Sequence, residues 1–514
     1  MNRAEMYRRL HAHAGPWDLI VVGGGATGAG VAIDGASRGY DVLLLEQSDF
    51  GKGTSSRSTK LVHGGVRYLE QGNVSLVMEA LRERGVLLQN APHLVRNLAF
   101  VVPNYDWWET PFYGVGLKLY NLLAGKYGFG ASQILSREET LERLPNLNTE
   151  GLRGGVIYFD GQFDDSRLLI NLVATAFEQG ATLLNYAAVS ELTKDAEGFV
   201  EGVRCRDLET GEDFEAHAQV VINATGPFAD ALRRKADPTV QPMIAPSQGI
   251  HLVFDRSFLA GDDAIMVPHT SDGRVMFAIP WHDHTVVGTT DTPIDSPSLE
   301  PAALEQEIEF ILQTSALYLA KTPTRADILS VFAGIRPLVR SGEAGNTAAL
   351  SRDHTIRIEN SGMITVCGGK WTTYRHMAED CVNQAATLAR LPEKPCVTEH
   401  LNIHGFHPSS AKFGSLWMYG SDAPLIEQIG DGEPLDRELP YTPAEVIWAV
   451  REEMARTVED VLARRTRALF LNSQAALRIA PHVAHLMAAE LQQNAAWEAE
   501  QLASFRRTAM NYVV

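Results

Sequence analysis

One segment near the start of the chain restricts the fold more than any other, because it places a strand, a glycine-rich turn, a helix and a second strand in direct succession. It covers residues 18–47 and reads DLIVVGGGATGAGVAIDGASRGYDVLLLEQ. Apolar runs predict buried strands over residues 19–22 and 42–45, and the small residues between them predict a closely packed helix over residues 26–38. A chain that opens in this way is expected to form a parallel α/β sheet.

The turn of this unit carries the spacing G-x-G-x-x-G, formed by Gly23, Gly25 and Gly28. The first glycine permits the tight turn, the second lets a pyrophosphate approach the backbone, and the third lets helix and strand pack closely. The helix N-terminus then offers free N–H groups to the phosphates. Glu46 stands at the end of the second strand, where a carboxylate can accept hydrogen bonds from both ribose hydroxyls. These residues predict a dinucleotide site.

Three further segments favour FAD over NAD as the dinucleotide. Residues 51–65, GKGTSSRSTKLVHGG, are dense in hydroxyl groups and glycine, which suits hydrogen bonding to phosphates and to the isoalloxazine. Residues 223–226, NATG, follow a second buried strand, and residues 368–370, GGK, follow a third and precede a helix. The strands that precede these segments are expected to join the same sheet as the first unit, although they lie far apart in sequence. They therefore predict one discontinuous FAD-binding domain.

The remainder of the chain predicts two more domains, as expected for 514 residues with 45% hydrophobic content. Residues 240–330 alternate in short apolar strands, which indicates a mostly antiparallel sheet. From about residue 399 the pattern is helical, with helices expected over 442–454, 458–471 and 473–492. The predicted FAD-binding domain comprises 17–100, 150–240 and 330–390, the substrate-binding or cap domain 101–149 and 241–329, and the C-terminal helical domain 395–514.

The charge balance excludes one class of function. A formal net charge of -18 argues against nucleic acid as a partner, because phosphate backbones select basic surfaces. The four cysteines form no C-x-x-C pair, which predicts free thiols in a reducing cytoplasm. We find no secretory signal in residues 1–16 and no apolar run long enough to span a bilayer, so peripheral membrane attachment stays open.

Two other patterns offer weaker indications. His11/His13 and His282/His284 are H-x-H pairs that would point to one face of a strand, but no third ligand stands at a suitable spacing, so we predict no metal site. Trp107 and Trp108, followed by Phe112 and a glycine-rich stretch, suit either a membrane-interface surface or a cap that packs on its own domain.

Several motifs together resemble the FAD-dependent glycerol-3-phosphate dehydrogenases, within the larger D-amino-acid-oxidase-like, glutathione-reductase-type flavoprotein group. The resemblance covers nearly the whole chain and is carried by VVGGGATGAGVA, TSSRSTKLVHGGVRYLE, NATGPFAD, PWHDHTVVGTTD, FAGIRPLV, SRDHTI and GGKWTTYR. It implies an α/β fold with a glutathione-reductase-type FAD-binding Rossmann domain, a mixed α+β substrate domain with an antiparallel sheet, and a C-terminal helical domain. No D-x-[DN]-x-[DN]-G loop follows residue 400, so the chain resembles the bacterial members.

The resemblance also implies which residues form the site. For FAD, the glycine turn and the hydroxyl-rich loop are joined by residues from later motifs: Gly23, Gly25, Ala26, Thr27, Gly28, Glu46, Thr54, Ser55, Ser58, Lys60, His63, Gly64, Gly65, Thr225, Gly226, Gly334, Gly369, Lys370 and Thr372. For the substrate they are Arg67, Tyr68, His251, Arg336, Arg352 and Lys370. Arginines suit a phosphate dianion because their forked donors bind it bidentately. Among these, Arg336, His251 and Lys370 are the expected catalytic residues, with His251 as base or substrate ligand.

The reaction implied is oxidation of sn-glycerol 3-phosphate to dihydroxyacetone phosphate by hydride transfer to the flavin, with a membrane quinone as electron acceptor. One alternative is an oxidase that reduces dioxygen, and another is a related flavoprotein that oxidises a different small anionic hydroxy or amino acid. A flavin-fold binding protein without turnover is a further alternative, which the intact arginine and lysine motifs disfavour. The expected location is the cytoplasm, at the inner face of the cell membrane, and a homodimer stays open.

Overall fold

The computed structural model describes residues 1–65, 73–106, 109–268, 270, 273–340, 353–430 and 432–514. Within these ranges, the backbone alone is described for residues 109–112, 115 and 126. Three residues expected to bind substrate, Arg67, Tyr68 and Arg352, lie outside the described residues, as do Trp107 and Trp108.

Eighteen strands are described in this part of the chain. In chain order they are β1 (Trp17–Val22), β2 (Val42–Leu45), β3 (Leu61–Val62), β4 (Val95–Asn104), β5 (Gln133–Ser136), β6 (Gly154–Phe163), β7 (Thr182–Leu184), β8 (Ala187–Lys194), β9 (Val200–Asp207), β10 (Asp213–Asn223), β11 (Ile244–Asp255), β12 (Ala264–Val267), β13 (Met276–Trp281), β14 (His284–Gly288), β15 (Thr292–Pro293), β16 (Ile328–Val339), β17 (His354–Ile358) and β18 (Ile364–Gly368).

The first sheet contains the predicted dinucleotide unit. Its strand order is β17-β18-β10-β1-β2-β7, with the β8–β9 hairpin continuing from β10. Strands β18, β10, β1, β2 and β7 run parallel, and β17 closes one edge in the antiparallel direction. The side chains of β1, β2, β7 and β18 and of the last four residues of β10 are almost entirely buried, as is typical of the centre of a parallel sheet. The carboxyl ends of β1, β2, β10 and β18 therefore lie side by side at one edge.

The second sheet has the order β15-β11-β14-β13-β12-β4-β6-β3, with β16 beside β11 and β5 beside β6. Every pairing is antiparallel except that of β12 with β4, in agreement with the expected substrate domain. Four of its strands, β3, β4, β6 and β16, fall in segments assigned largely to the FAD-binding domain from sequence. The segments 17–100, 150–240 and 330–390 thus contribute strands to both sheets.

The α-helices of the described chain are Arg3–Ala12, Ala26–Ser37, Val74–Asn90, Glu109–Ala124, Arg137–Arg143, Asp165–Glu178, Ala229–Ala236, Glu305–Tyr318, Tyr374–Leu388, Ala423–Ile429, Pro443–Glu452, Ala468–Leu471, Ser473–Leu491 and Ala495–Ala509. The α/β fold class with a C-terminal helical domain is confirmed. The helix predicted over 458–471 is wrong as one element, since Arg467 is left-handed (φ 66°) and separates a π-helical turn from Ala468–Leu471. Among the described residues, no helix is both long enough and apolar enough to cross a bilayer.

A buried ion cluster ties the C-terminal helices to the first sheet. Asp49 follows β2 and receives hydrogen bonds from Arg465 at 2.7 Å and 3.0 Å, with Arg464 also donating to it. Burial alone would raise the pKa of Asp49, but the positive charges of Arg465 and Arg464 outweigh it and lower that pKa. Since unpaired buried charges are costly, this cluster fixes how the helical domain sits on the sheet.

The last long helix is capped by Asn494, whose side chain accepts hydrogen bonds from the backbone N–H groups of Ala496 and Trp497 at 3.0 Å and 3.1 Å. We expect Asn494→Ala to reduce the free energy of unfolding by about 1 kcal/mol, because two helix N–H groups lose their acceptor. Asn494→Ser should retain most of the stability of the wild type, because a serine hydroxyl also accepts hydrogen bonds from the first turn of a helix. The measurement is the urea midpoint of both variants, and equal midpoints for Asn494→Ala and the wild type would contradict the capping role.

Candidate active site

The glycine turn is shaped by contacts that exclude side chains. Gly23 has φ 111°, and a Cβ atom there would lie 2.6 Å from the Ala224 carbonyl oxygen at the end of β10. A Cβ on Gly28 would lie 1.9 Å from the Gly23 carbonyl oxygen. Gly25 differs, because its Cβ would meet only Ser55 Oγ, at 3.1 Å. Gly23 and Gly28 therefore serve close packing of strand and helix, whereas Gly25 forms part of a cavity wall.

Glu46 lies on the same wall, at the end of β2. Its Oε2 accepts a hydrogen bond from the Gly24 N–H at 2.7 Å, and its Oε1 accepts one from the Ser48 N–H at 2.8 Å. Burial raises the pKa of the Glu46 carboxyl, and the two backbone hydrogen bonds oppose that shift. Each oxygen keeps one acceptor position, so the carboxylate can still take the two hydroxyls of a ribose.

The cavity beside this turn has a volume of about 400 Å³ and lies at the carboxyl ends of β1, β2, β10 and β18. This is the edge at which open α/β sheets bind dinucleotides. The wall of the glycine turn at Gly25, where a side chain would project into the cavity, and the carboxylate of Glu46 fit the diphosphate and ribose of FAD. Its walls include most of the residues expected there: Gly23, Gly25, Ala26, Thr27, Glu46, Thr54, Ser55, Thr225, Gly226, Gly369 and Lys370.

A second cavity of about 670 Å³ adjoins the first, and the two share one wall. That wall is formed by residues from the hydroxyl-rich loop, the end of β16 and the turn after β18: Thr54, Pro337, Gly368, Gly369, Lys370 and Trp371. Trp371 is fixed there because its indole N–H donates to the Ser55 carbonyl at 2.9 Å. A ligand that extends from the glycine turn through the first cavity thus ends where the second begins.

Arg336 lies in the second cavity, where β16 pairs with β11. Its guanidinium forms an ion pair with Asp291 at 3.3 Å and donates to Thr289 Oγ1 at 3.1 Å. A Cβ on Gly249, across the strand pair, would lie 2.5 Å from this guanidinium. Glycine at position 249 therefore lets the arginine lie flat over the neighbouring strand and face the cavity.

His251 lines the same cavity and is only 2% exposed. Its ring stacks on Phe332 with centroids 4.8 Å apart, and Nε2 lies 3.0 Å from Thr59 Oγ1. Nδ1 has no hydrogen-bond partner among the described residues. Burial, with the positive charges of Lys60 and Arg336, lowers the pKa of His251 well below its usual range. The imidazole is therefore neutral at physiological pH and carries a lone pair.

Lys60 does not reach the walls of either cavity, although sequence analysis assigned it to the cofactor site. It is fully buried, and its ammonium donates to Asp165 at 2.7 Å and to the Ser56 carbonyl at 2.9 Å. Burial lowers the pKa of Lys60 to about 7, against the opposing charge of Asp165. Lys60 was predicted to bind the cofactor because it lies in the hydroxyl-rich loop. In the structure its ammonium stabilises that loop through Asp165 and the Ser56 carbonyl.

Other predicted residues are distributed as follows. Gly64 packs against the hydroxyl of Tyr120, where a Cβ would lie at 2.4 Å, rather than on a cavity wall. Arg57 packs closely against Gly334. A Cβ atom added to Gly334 would lie 2.9 Å from the Cβ of Arg57. The second cavity is lined by the following members of the predicted set, of which the last three also line the first cavity: Ser58, His63, Gly65, His251, Gly334, Arg336, Thr372, Thr54, Gly369 and Lys370.

Several cavity residues lie outside the set predicted from the sequence. Arg57 and Thr59 lie in the hydroxyl-rich loop and could have been named with it, and Asp291 ends the motif PWHDHTVVGTTD. Arg274 stands in no motif, so only the structure brings it to the cavity. Arg57 is held by Glu300 at 2.7 Å, so its charge is already paired.

The H-x-H pairs do not converge on a shared position. His282 occupies a tight turn with φ 47°, and its Nε2 bonds to Asp164 at 3.0 Å. His284 instead contacts the carbonyl oxygen of His282 at 2.6 Å. His13 stacks on Trp17, with ring centroids 3.6 Å apart.

Comparisons with known proteins agree with this geometry. A family model described as FAD dependent oxidoreductase matches residues 18–375, and another, the C-terminal domain of alpha-glycerophosphate oxidase, matches residues 364–501. A probable mitochondrial glycerol-3-phosphate dehydrogenase of Caenorhabditis elegans is 41% identical over 95% of this chain and 73% of its own length. The mitochondrial glycerol-3-phosphate dehydrogenase of Arabidopsis thaliana is 42% identical over 92% of this chain and 83% of its own length.

Solved structures support the same assignment. The glycerol-3-phosphate dehydrogenase from Bacillus halodurans complexed with FAD matches all of this chain and 98% of its own, with a TM-score of 0.80 and 30% identity. L-alpha-glycerophosphate oxidase from Mycoplasma pneumoniae has a TM-score of 0.58 at 18% identity, over 76% of this chain and 98% of its own, and so shares the fold. The cofactor is FAD, and the chain belongs to the FAD-dependent glycerol-3-phosphate dehydrogenases.

Proposed function

We propose that this enzyme oxidises sn-glycerol 3-phosphate to dihydroxyacetone phosphate and passes the electrons to a membrane quinone. The observation that supports this most strongly is the placing of Arg336 and His251 in a cavity that shares a wall with the dinucleotide site. One cationic group and one neutral imidazole then face a space of about 670 Å³ next to the flavin position. A small phosphate ester with a secondary alcohol matches both groups.

In this proposal Arg336 binds the phosphate. Its guanidinium already forms an ion pair with Asp291, which neutralises part of its charge. A phosphate dianion therefore needs further positive charge nearby. Arg274 and Lys370 line the same cavity and add positive charge to it. Lys370 also belongs to the wall shared with the cofactor cavity, where a positive charge favours the reduced, anionic flavin. The bound FAD supplies the two-electron acceptor for the alcohol.

His251 takes the hydroxyl proton as the carbinol carbon loses hydride. In the substrate-free protein burial, and after it the positive charges of Lys60 and Arg336, lower the pKa of His251 and make it a weak base. A dianion that binds at Arg336 cancels part of that positive charge and raises the basicity of the imidazole. Substrate binding thereby prepares the base for proton transfer, and uncharged glycerol does not produce this effect.

The direct test is anaerobic addition of glycerol 3-phosphate to the purified yellow protein, which should bleach the flavin absorbance near stoichiometrically. Glycerol, lactate and glycine serve as matched small substrates that lack the phosphate. Bleaching by lactate or glycine but not by glycerol 3-phosphate would overturn the substrate assignment. Reoxidation rates with a soluble quinone analogue and with dioxygen then decide the acceptor, and a faster reaction with dioxygen would favour the oxidase alternative.

The quinone assignment rests on a surface that we call the apolar patch, formed by Val74, Met78, Leu119, Leu122 and Ile134. Each of these side chains is between 41% and 77% exposed. Leu119 and Leu122 are three residues apart and share one face of the helix Glu109–Ala124. Val74 and Met78 share a face of the helix Val74–Asn90, whose first turn lines the second cavity at Leu76. The helix Glu109–Ala124 packs against both the helix Val74–Asn90 and β5, so these side chains stand on neighbouring elements, one of which reaches the substrate cavity. A quinone route from a bilayer requires such an apolar surface beside the cavity.

We expect Leu119→Ser/Leu122→Ser to reduce flotation with liposomes of bacterial polar lipid severalfold, because two apolar contacts with the acyl region are lost. Leu317→Ser is the matched control, since Leu317 is 66% exposed and lies on the helix Glu305–Tyr318, away from the patch. Unchanged flotation of the double variant, or an equal loss in the control, would remove the patch from the proposed attachment to the cytoplasmic membrane face.

A further inference from the structure

A cluster of ligand-type side chains lies behind the turn that the two cavities share. Its members are Glu79 on the helix Val74–Asn90, His354 at the start of β17 and His376 on the helix Tyr374–Leu388. One ligand atom from each of the three lies within 4.8 Å of the others. The three residues are far apart in sequence, so no spacing rule could have grouped them.

Two pairs of contacts build the cluster. Glu79 Oε1 lies 3.1 Å from Nδ1 of His376, and Asp380 Oδ2 lies 2.9 Å from Nε2 of His354. Asp380 also stands 3.8 Å from Nε2 of His376, so it adds a fourth ligand-type group at the edge. The imidazole rings meet edge to face, with centroids 5.7 Å apart. Side-chain exposures of 12% to 37% leave the group accessible from solvent.

We propose that Glu79, His354 and His376, assisted by Asp380, form a binding site for Zn²⁺. Two imidazoles with carboxylates are the ligand types that zinc takes, whereas calcium and magnesium select oxygen alone. Ligand atoms on a tetrahedral zinc at bond lengths of about 2.0–2.1 Å stand roughly 3.3 Å apart. Glu79 Oε1 and His376 Nδ1 already stand 3.1 Å apart, and the ligand atoms of all three residues lie within 4.8 Å of one another, so side-chain rotations that shorten the longer separations close the site around an ion.

Binding would connect three elements that frame the shared cavity wall. A Cβ on Gly369 would lie 3.3 Å from the His354 Cβ, so the cluster adjoins the turn after β18. Asn73 and Leu76, at the start of the helix that carries Glu79, line the substrate cavity. An ion held here therefore fixes that helix against the turn and stabilises the folded enzyme.

The test is a calorimetric titration of untagged, FAD-loaded protein with zinc chloride, together with the thermal midpoint in the presence and absence of zinc. We expect saturable binding of one zinc and a rise in Tm of roughly 1 to 3 °C. His376→Ala should weaken zinc binding by about 100-fold or more, since loss of even an outer-shell partner costs about 10- to 100-fold. Glu79→Gln keeps the shape of the side chain and should also weaken binding.

His217→Ala is the matched control, because His217 contacts two carboxylates, Glu215 and Glu201, but belongs to no three-residue ligand cluster in the described part of the chain. It should bind zinc as the wild type does. Retained FAD absorbance in each variant shows that it is folded, and Glu79→Gln serves if His376→Ala loses its flavin. Absence of saturable binding by the wild type, or binding unaffected by Glu79→Gln and His376→Ala, would overturn the proposal.

Discussion

Arg336→Ala is expected to lower kcat/KM for glycerol 3-phosphate by roughly 30- to 1000-fold while FAD content stays near the wild-type value. A dianion in a partly dry cavity needs fixed cations, because removing its water is costly. Loss of a charge-assisted contact of this kind costs about 2–4 kcal/mol in transition-state binding. The dinucleotide cavity does not include Arg336, so its occupancy should be unaffected.

The informative comparison is glycerol 3-phosphate against glycerol. Arg336→Ala should reduce the ratio of kcat/KM for glycerol 3-phosphate to kcat/KM for glycerol, because glycerol has no phosphate for the guanidinium to bind. Arg325→Ala is the matched control, since Arg325 precedes the same strand, is 43% exposed and pairs with Glu305 outside the cavity. Full flavin occupancy with an unchanged preference would show that other residues hold the phosphate, and the substrate assignment would lose its main physical support.

Removal of Arg336 also leaves the buried carboxylate of Asp291 with the Ser247 hydroxyl as donor but without the positive charge beside it. Part of the loss could then come from repulsion between Asp291 and the phosphate rather than from the missing contact. The double variant Arg336→Ala/Asp291→Asn separates the two effects. If the contact between Arg336 and the phosphate matters most, the double variant keeps the reduced preference for glycerol 3-phosphate over glycerol. If repulsion dominates, it recovers most of the activity of the wild type.

The dinucleotide half of the site could be predicted from sequence because its chemistry is local. Gly23, Gly25, Gly28 and Glu46 lie within one strand–helix–strand unit, and the periodicity of that unit determines where each residue falls. The predicted helix over 473–492 ends within one residue of the observed helix Ser473–Leu491 for the same reason. Where the hydrophobic periodicity of a short segment fits only one type of secondary structure, few alternative folds of that segment remain.

The substrate half depends on contacts that no local pattern contains. His251 reaches the cavity because β11 pairs with β16, about 80 residues later in the chain, and Lys60 turns away because Asp165 holds it. The break at Arg467 has a similar origin, since its guanidinium donates to the Ser56 carbonyl at 2.7 Å, in the cofactor loop. Each of these outcomes is decided by a partner more than about 80 residues away, which periodicity cannot identify.

Gly25→Leu is expected to yield folded but colourless protein. The added side chain projects from the wall of the dinucleotide cavity, where the helix N-terminus would otherwise meet the pyrophosphate. Only Ser55 Oγ lies within 4 Å of the new Cβ, so the fold should tolerate the change. We therefore expect near-complete loss of bound FAD and of activity, with an unchanged far-ultraviolet circular dichroism spectrum.

The choice of glycine is what makes this experiment decisive. Gly28→Leu would drive its Cβ into the Gly23 carbonyl oxygen at 1.9 Å, so colourless protein there would report a damaged fold instead of a blocked site. Gly430→Leu is the matched control, because Gly430 has an extended backbone and no atom within 4 Å of an added Cβ. That control should keep full FAD. Stoichiometric FAD in purified Gly25→Leu would show that the pyrophosphate lies elsewhere, and the assignment of the glycine turn would have to be abandoned.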